Sequence, residues 1–536
     1  MADLKSALAY PPERTRRFLE NGDWSDTMPS QWLAEWARKA PDRPAALAPG
    51  GGLGFAELDD GVRRFAAGLL AQGFKRGDVI GVQLPNVPAI VIAICGIQAM
   101  GGVPALLHMP YRGGELEPLL RHVDARGVVC LAGLEGYDAP ALMAEMQIAV
   151  PSLEHVIVVG AAAPAGMLAF DDLKAHEPGD IPDPPEPDDP AVVMFTSGTT
   201  SAPKAVVHPY RTLVLDGISC GRGFHIDAEQ TVLCAPAFTH AFGLIVLMAM
   251  LQAGASNAMM PAYAPPVLEE TLLRDKVTIL FCGPAHVKAG RKAGFFAPAV
   301  CENLRRVFIG GAVCLPEVLI GLEEACPGVR VCQTWGMTEV LDIIIGHEDA
   351  AQEVRANSIG PVFDDCNARI CDPDGVELES GEEGELEIRS PYQFYGYLDN
   401  EAANAQSFRP GGWYRTGDLA RIDGDGNITV TGRLKDVIVR GGIKINPLDV
   451  EELMEAHAAV LQAAVVPVPD EVLGERACLF VVLAPDQDMT LEDVTDYLAG
   501  AKVAKMFWPE RLVVVDSMPM TPTRKVIKGR LEFPAE

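Results

Sequence analysis

The stretch that most constrains this chain is residues 191–208, AVVMFTSGTTSAPKAVVH. The apolar run 191–195 reads as a buried strand. It breaks into six small or hydroxyl residues, Thr196, Ser197, Gly198, Thr199, Thr200 and Ser201, before Pro203 and Lys204. Small residues let backbone N–H groups approach an anion closely, hydroxyls add donors, and a lysine at the rim adds a point charge. That is the chemistry of a triphosphate cradle, with an ordinary Ser/Thr-rich surface turn as the alternative on this stretch alone. The spacing is not the GxxxxGK[ST] of a P-loop.

A chain of 536 residues exceeds one compact core, so two or more domains are expected. The formal charge of −29 argues against nucleic acid or an anionic membrane as partner, and requires any polyanionic ligand to be held by a locally cationic site. Twelve cysteines without CxxC spacing or a Cys/His cluster read as reduced, buried thiols rather than a metal site or disulfide scaffold. The first residues lack a signal-peptide apolar core, so the cytoplasm is the expected compartment. Residues 87–107 are apolar enough to raise the question of a membrane span. Pro88, Gln98, Gly101, Gly102 and Pro104 interrupt them, and a buried helix, a turn and a strand are expected instead.

Taken in order, the polar residues 11–45 carry Trp24 and Trp32 as anchors for a docked N-terminal helix. The spacing predicts helices over 55–73, 88–100 and 113–123, with strands at 78–84, 103–107, 128–133 and 155–160. Residues 176–190, HEPGDIPDPPEPDDP, form an exposed connector. Strands at 231–238, 277–283, 305–311 and 329–335, with a helix around 243–252, continue the α/β rhythm. Each strand ends in small residues, where open α/β sheets place ligands. Beyond about 355, alternating strands with DG and GDGN turns predict a β-barrel-like region. From Asp436 onward, helices at 449–457 and 491–501 and strands at 463–469, 478–485 and 510–518 predict a small α+β module. The division expected is a large domain over 1–434 and a small one over 435–536.

Five stretches in this order carry a family resemblance: the loop at 194–208, Gly310-Gly311-Ala312, TWGMTE (334–339), YRTGDLARIDGDGNITVTGRLKDVIVRGGIKINP (414–447) and PMTPTRKVIKGRL (519–531). Together they resemble the acyl-adenylate-forming superfamily, in its acyl- and aryl-CoA synthetase branch. The resemblance implies a large N-terminal α/β domain and a small mobile C-terminal one. It also implies a two-step reaction, in which a carboxylate attacks the α-phosphate of ATP and a thiol then displaces AMP, with ATP and CoA as co-substrates and Mg²⁺ as metal. Thr196, Ser197, Gly198, Thr199, Thr200 and Lys204 would cradle the β- and γ-phosphates. Glu339 would ligate Mg²⁺, as a hard carboxylate suits a hard cation, and Thr338 would sit by the α-phosphate. Gly311, Ala312 and Trp335, with Gly336 beside it, would bracket adenine; Trp335 stands where the family usually has Tyr or Phe. Asp418 would accept both ribose hydroxyls, with Arg433 beside it. Lys525 matches the adenylation lysine and Lys435 the hinge of the small domain. In the second step Gly441 and Gly442 would admit the thiol, with Lys444 facing the site.

The segment APAFTHAFGL (235–244) resembles the family's acyl-pocket stretch and nominates His240 and Phe242, with Gly310 and the Gly336–Met337 backbone lining the same cavity. No charged or amide side chain occurs at 238–244, which implies an apolar floor. Hydroxybenzoate-activating relatives, which the N-terminal RRFLENGDW also resembles, usually carry Asn after the His, and here the residue is Ala241. An alicyclic, aromatic or medium-chain acid without that hydroxyl is therefore expected. Ser201, Ala205 and Arg524 stand where the family usually has Gly; the first two are small and the third adds a cation.

The function these residues imply is an AMP-forming carboxylate–CoA ligase. A stand-alone ligase loading a carrier-protein phosphopantetheine is the alternative, and no carrier domain is read after Glu536. A non-catalytic nucleotide-binding paralogue is suggested only by the three glycine replacements. A kinase or P-loop NTPase is disfavoured by the missing GK[ST]. A homodimer is compatible with this reading. His208, His286 and His347 have no motif partner and read as core or surface histidines. The methionines at 248–260 read as core filling, and DGDGN (423–427) as a hairpin turn rather than a Ca²⁺ loop.

Overall fold

A computed structural model of the chain describes residues 3–8, 10, 12–160, 163–196, 204–440, 443–470, 472–521 and 525–533, and only the backbone of Lys444. Two compact units emerge. The first comprises residues 1–197, 202–367 and 389–408, and the second residues 198–201, 368–388 and 409–536.

The first unit is built on two sheets. In one, seven strands run in the spatial order Leu168–Ala169, His155–Val159, Gly127–Leu131, Val79–Gln83, Val103–Leu106, Pro190–Thr196, Lys204–Pro209. All neighbours are parallel except the last pair, an antiparallel hairpin. In the other, eight strands run Leu341–Ile345, Arg330–Met337, Arg306–Ile309, Ile279–Cys282, Thr231–Cys234, Ser256–Ala258, Pro44–Leu47, Leu53–Gly54. This sheet is parallel inside and antiparallel at both ends.

Apolar strand faces against helices account for this arrangement. Val79, Val128, Val156 and Val193 pack with Leu116, Leu119 and Met143, all at most 3% exposed. Leu280, Val307 and Val331 pack with Leu268, Leu319 and Leu322. Each fully buried aliphatic contributes about 1.5–3 kcal/mol, more than the roughly 1 kcal/mol net of a hydrogen bond, so these cores set the strand order.

The second unit holds a curled antiparallel half-barrel sheet and an α+β module. Gly384–Arg389 pairs with Trp413–Ile422, which pairs with Ile428–Arg433 through the DGDGN hairpin. In the module, Val460–Asp470 and Gly474–Leu483 form a long hairpin, joined by Ile438–Arg440 and, in parallel, Arg511–Val514. Helices Pro447–Ala456 and Leu491–Gly500 cover it with Val450, Met454, Val494 and Leu498.

The expected helix and strand within 87–107 are present as Pro88–Ala99 and Val103–Leu106. Residues 90–98 of the helix are all buried, and Gln98 Nε2 donates to the Ala191 carbonyl at 2.9 Å. Among the described residues, no helix is long and apolar enough to cross a membrane. Trp24 and Trp32 are buried anchors as expected, the former donating its Nε1–H to the Pro391 carbonyl.

Two readings need correction. The strand expected over 231–238 stops at Cys234. Pro236 follows, and the Asn86 amide captures the chain by donating to the carbonyls of Cys234 and Pro236 and accepting from Phe238 N–H. Not every thiol is reduced either: Cys301 and Cys326, 25 residues apart in sequence, form a disulfide across a Cα–Cα distance of 5.9 Å. Tertiary packing brings these two together without any spacing signal. The other ten cysteines are buried and unbridged, as expected.

Candidate active site

In the first unit, the phosphate-loop hairpin pairs Thr196 with Lys204 in register. Ser197, Gly198, Thr199, Thr200 and Ser201 lie outside the described residues, so the structure presents only the rims of the expected cradle. Lys204 Nζ stands 4.5 Å from the centroid of the Tyr397 ring, a cation–π contact. The Tyr397 hydroxyl in turn donates to Glu339 Oε1 at 2.8 Å.

Glu339 and Thr338 occupy a tight turn joining Arg330–Met337 to Leu341–Ile345. Val340 N–H donates to the Met337 carbonyl at 3.1 Å, and Leu341 adopts φ +59°. A bulge between Trp335 and Gly336 shifts the register just before the turn. The Glu339 side chain is 5% exposed and its carbonyl accepts Phe394 N–H at 2.7 Å. A buried carboxylate oriented by one hydroxyl is a donor set that fits a hard cation such as Mg²⁺. Trp335 is half-buried at the edge of the sheet, and Gly311, at φ +80°, and Ala312 are exposed after the strand Arg306–Ile309.

The nominated acyl residues converge. A Cβ at Gly310 would lie 2.7 Å from Thr334 Cγ2 and 3.2 Å from Phe242 Cε1, so glycine there leaves Thr334 and Phe242 facing one another. Phe242 is 8% exposed and lies edge-on to Phe281, which stacks on Phe308. His240 caps the helix Ala241–Ala253, its Nδ1 accepting Phe242 N–H at 3.3 Å, so its proton resides on Nε2 when the ring is neutral.

A buried carboxyl group lies against Thr334. The Thr334 hydroxyl lies 2.8 Å from Asp342 Oδ1, and burial pushes Asp342 up to about 7. Asp216, also fully buried, is raised well above the carboxylate range by burial and by Asp342. Asp342 lies outside 238–244 and carries no sequence signal; it meets Thr334 through the pairing of Arg330–Met337 with Leu341–Ile345.

Other neighbours carried no sequence signal. His108 lies with its ring 5.8 Å from that of His240 and its Nδ1 3.2 Å from Thr239 Oγ1, and burial holds it down near 4. His208, read as a core or surface histidine, is wholly buried, with Nε2 2.7 Å from the Thr338 carbonyl. Tyr397 and Asn86 stood in no motif.

In the second unit, Asp418 and Arg433 are directly paired across the strands, with Arg433 Nε 3.0 Å from Asp418 Oδ1. Gly417, at φ +71°, sits in an irregularity of the strand Trp413–Ile422 just before Asp418, and the Asp418 N–H donates to Thr416 Oγ1. Lys435 is exposed in the short 3₁₀ turn Leu434–Asp436. Lys444 pairs with Val439 in a two-stranded ladder, while Gly441 and Gly442 lie outside the described residues.

The Lys525 carbonyl accepts Thr521 N–H at 2.7 Å, and Lys525 N–H donates to Thr521 Oγ1 at 2.9 Å. Lys528 then anchors the segment to the buried Glu451 at 2.7 Å. Arg524 lies outside the described residues. Among the described residues, no cluster of three or more His, Cys, Asp or Glu could hold a metal.

Comparison with known proteins agrees with this geometry. Residues 33–398 match the AMP-binding enzyme family, and residues 449–525 match the AMP-binding enzyme C-terminal domain. The chain is 32% identical over 534 residues to the salicyl-AMP ligase / salicyl-S-ArCP synthetase of Mycobacterium tuberculosis, covering 98% of this chain and 94% of that one. It is also 32% identical over 544 residues to the 2-hydroxy-7-methoxy-5-methyl-1-naphthoate–CoA ligase of Streptomyces carzinostaticus, covering 98% and 96%. Among solved structures, the apo structure of MbtA from Mycobacterium smegmatis superposes with a TM-score of 0.76 at 32% identity, covering 98% of this chain and 99% of that one. The chain thus belongs to the AMP-binding enzymes of the acyl-adenylate-forming superfamily, and is an ATP-dependent, AMP-forming acid–thiol ligase.

Proposed function

We propose that this enzyme is a carboxylate–CoA ligase that activates a hydrophobic acid (aromatic, alicyclic or medium-chain) as its acyl-adenylate and passes the acyl group to the CoA thiol. The observation that carries this reading is the Thr338–Glu339 turn. A buried carboxylate oriented by Tyr397 lies on the same strand pair as Thr334, which meets Phe242 and Gly310 in the apolar wall.

The chemical problem is to bring a carboxylate against a polyphosphate, so charge neutralisation and positioning dominate. In this reading Lys204 and the loop 196–201 grip the leaving pyrophosphate. Thr338 lies beside the α-phosphate, and Glu339 holds Mg²⁺, which offsets phosphate charge when bound. Trp335, Gly336, Gly311 and Ala312 bracket adenine, and Asp418 with Arg433 takes the ribose. Lys525 bridges the carboxylate and the α-phosphate during adenylation. The small domain, 435–536, then turns about Lys435, and Gly441, Gly442 and Lys444 serve thiol transfer. Phe242, Gly310 and the Met337 backbone line the acyl cavity, with His240 at its mouth.

A second reading, loading of a carrier-protein phosphopantetheine, is favoured by the mycobacterial relative, whose name includes that activity. The two named relatives act on 2-hydroxyaryl acids. Ala241 supplies no amide for such a hydroxyl, and the acid panel should therefore include each aromatic acid with and without it.

The test combines one variant with one product assay. Lys525→Ala should abolish carboxylate-dependent ATP–pyrophosphate exchange while largely sparing CoA transfer from a supplied acyl-adenylate; normal exchange would sink the assignment of Lys525. Mass spectrometry across aromatic, alicyclic and aliphatic acids should detect a CoA ester from at least one. Adenylate formation without any CoA ester would favour the carrier-protein reading.

A further inference from the structure

The strand Lys204–Pro209 leaves the phosphate-binding loop, meets Tyr397 and Leu398 along its first half and reaches the Thr338–Glu339 turn at His208. Residues 204, 206 and 208 share one face of it, because side chains alternate along a strand. Lys204 reaches the Tyr397 ring, and Tyr397 reaches Glu339. Val206 forms an antiparallel bridge with Tyr397, reinforced by Leu398 N–H to the Ala205 carbonyl at 3.0 Å. His208, with no solvent exposure, touches the turn directly through Nε2, 2.7 Å from the Thr338 carbonyl.

A carbonyl only accepts, so Nε2 carries a proton. Nδ1 faces Thr212 Oγ1 at 3.2 Å, and that hydroxyl also lies 3.1 Å from the Pro209 carbonyl. The Thr338 carbonyl fixes the ring orientation with Nε2 donating; in the neutral ring Nδ1 is then an acceptor beside the Thr212 hydroxyl, whose one proton goes to the Pro209 carbonyl. The turn is thereby held from two directions, the Thr338 carbonyl by His208 and the Glu339 carbonyl by Phe394 N–H. An ordinary core histidine also finds partners. Here, however, the partner is the backbone of the residue assigned to the α-phosphate, and the histidine rides on the strand that issues from the phosphate loop.

We propose that His208 is a positioning residue of the adenylation site: its Nε2–H fixes the Thr338–Glu339 turn against the strand that carries Lys204, so that phosphate grip and metal-binding carboxylate keep one spacing. The inference rests on the adenylation reading above. Groups that orient a catalytic shell typically cost ten- to hundredfold in activity when removed.

Gln and Met are similar in length, and of the two only Gln carries an N–H donor at its tip, with a carbonyl acceptor beside it. His208→Met should lower the kcat of ATP–pyrophosphate exchange about ten- to hundredfold, with KM for ATP and acid changed by less than about threefold. His208→Gln should recover kcat to within a few-fold of wild type, while the two variants melt within a few degrees of each other. Equal impairment of both variants, or an unchanged kcat in His208→Met, overturns the role of His208 alone. Wild-type enzyme without exchange on any acid overturns the adenylation reading and this inference together. Nitrogen-15 NMR of histidine-labelled wild-type protein should find the His208 proton on Nε2; a proton on Nδ1 instead overturns the proposal whether or not the variants fold.

Discussion

Asp342 begins its history as an ordinary acidic residue three positions after Glu339 and ends as a buried carboxyl group 2% exposed. Burial pushes it up to about 7, and the Thr334 hydroxyl opposes that shift. Its native pKa lies above its ordinary value, so its contribution to stability is present at acid pH and is lost as pH rises toward 7. His108 and His208 behave oppositely. Burial lowers both to about 4, and their contribution is present above about 6.5 and lost as pH falls toward 4. These opposed slopes overlap, so the wild type alone is a poor reporter. Asp342→Asn keeps an acceptor for Thr334 and removes one titration. Relative to wild type it should gain on the order of 3 kcal/mol between pH 4 and pH 8, read from denaturant unfolding at each pH. Parallel profiles for the two proteins would show that Asp342 is charged in the native state.

At the scale of elements, the turn between Arg330–Met337 and Leu341–Ile345 shows what a motif encodes and what it omits. TWGMTE was legible as a site. The need for its glycine is a matter of approach: a Cβ at Gly336 would lie 2.2 Å from the Leu341 carbonyl oxygen, and a backbone atom cannot yield. Gly336→Ala should therefore open the hairpin. We expect at least a hundredfold loss of pyrophosphate exchange and a melting temperature lower by a few degrees, since overpacking of this kind costs about 1–3 kcal/mol. Retained exchange would mean that the turn tolerates displacement. The bounds of regular elements were legible where apolar periodicity ran uninterrupted, as in Phe55–Ala71 and Gly113–His122. They were not where a distant side chain intervened, as when Asn86 draws residues 235–238 out of the sheet.

For the molecule as a whole, the charge of −29 repels a polyanionic nucleotide at long range, while the site residues attract it at contact. Salt screens the first far more than the second, because the Debye length falls to about 8 Å at physiological ionic strength. Raising monovalent salt from low to physiological levels should therefore increase kcat/KM for ATP about two- to threefold. A decrease would mean that a cationic funnel outweighs the net charge. The Cys301–Cys326 disulfide belongs to this scale as well, since packing alone brings the two thiols together.

The sequence by itself determined the α/β class and the family, and nominated the residues proposed for ATP, because strand and helix periodicity and loop chemistry are short-range properties written in consecutive residues. Only the tertiary structure decided which groups orient them. His208 meets Thr338 across 130 positions, Tyr397 meets Glu339 across 58, and Asn86 meets Phe238 across 152. Asp342 meets Thr334 only through the pairing of their strands. These contacts arise from the packing of sheet against helix and strand against strand, and packing is a property of the folded core rather than of any local run of residues.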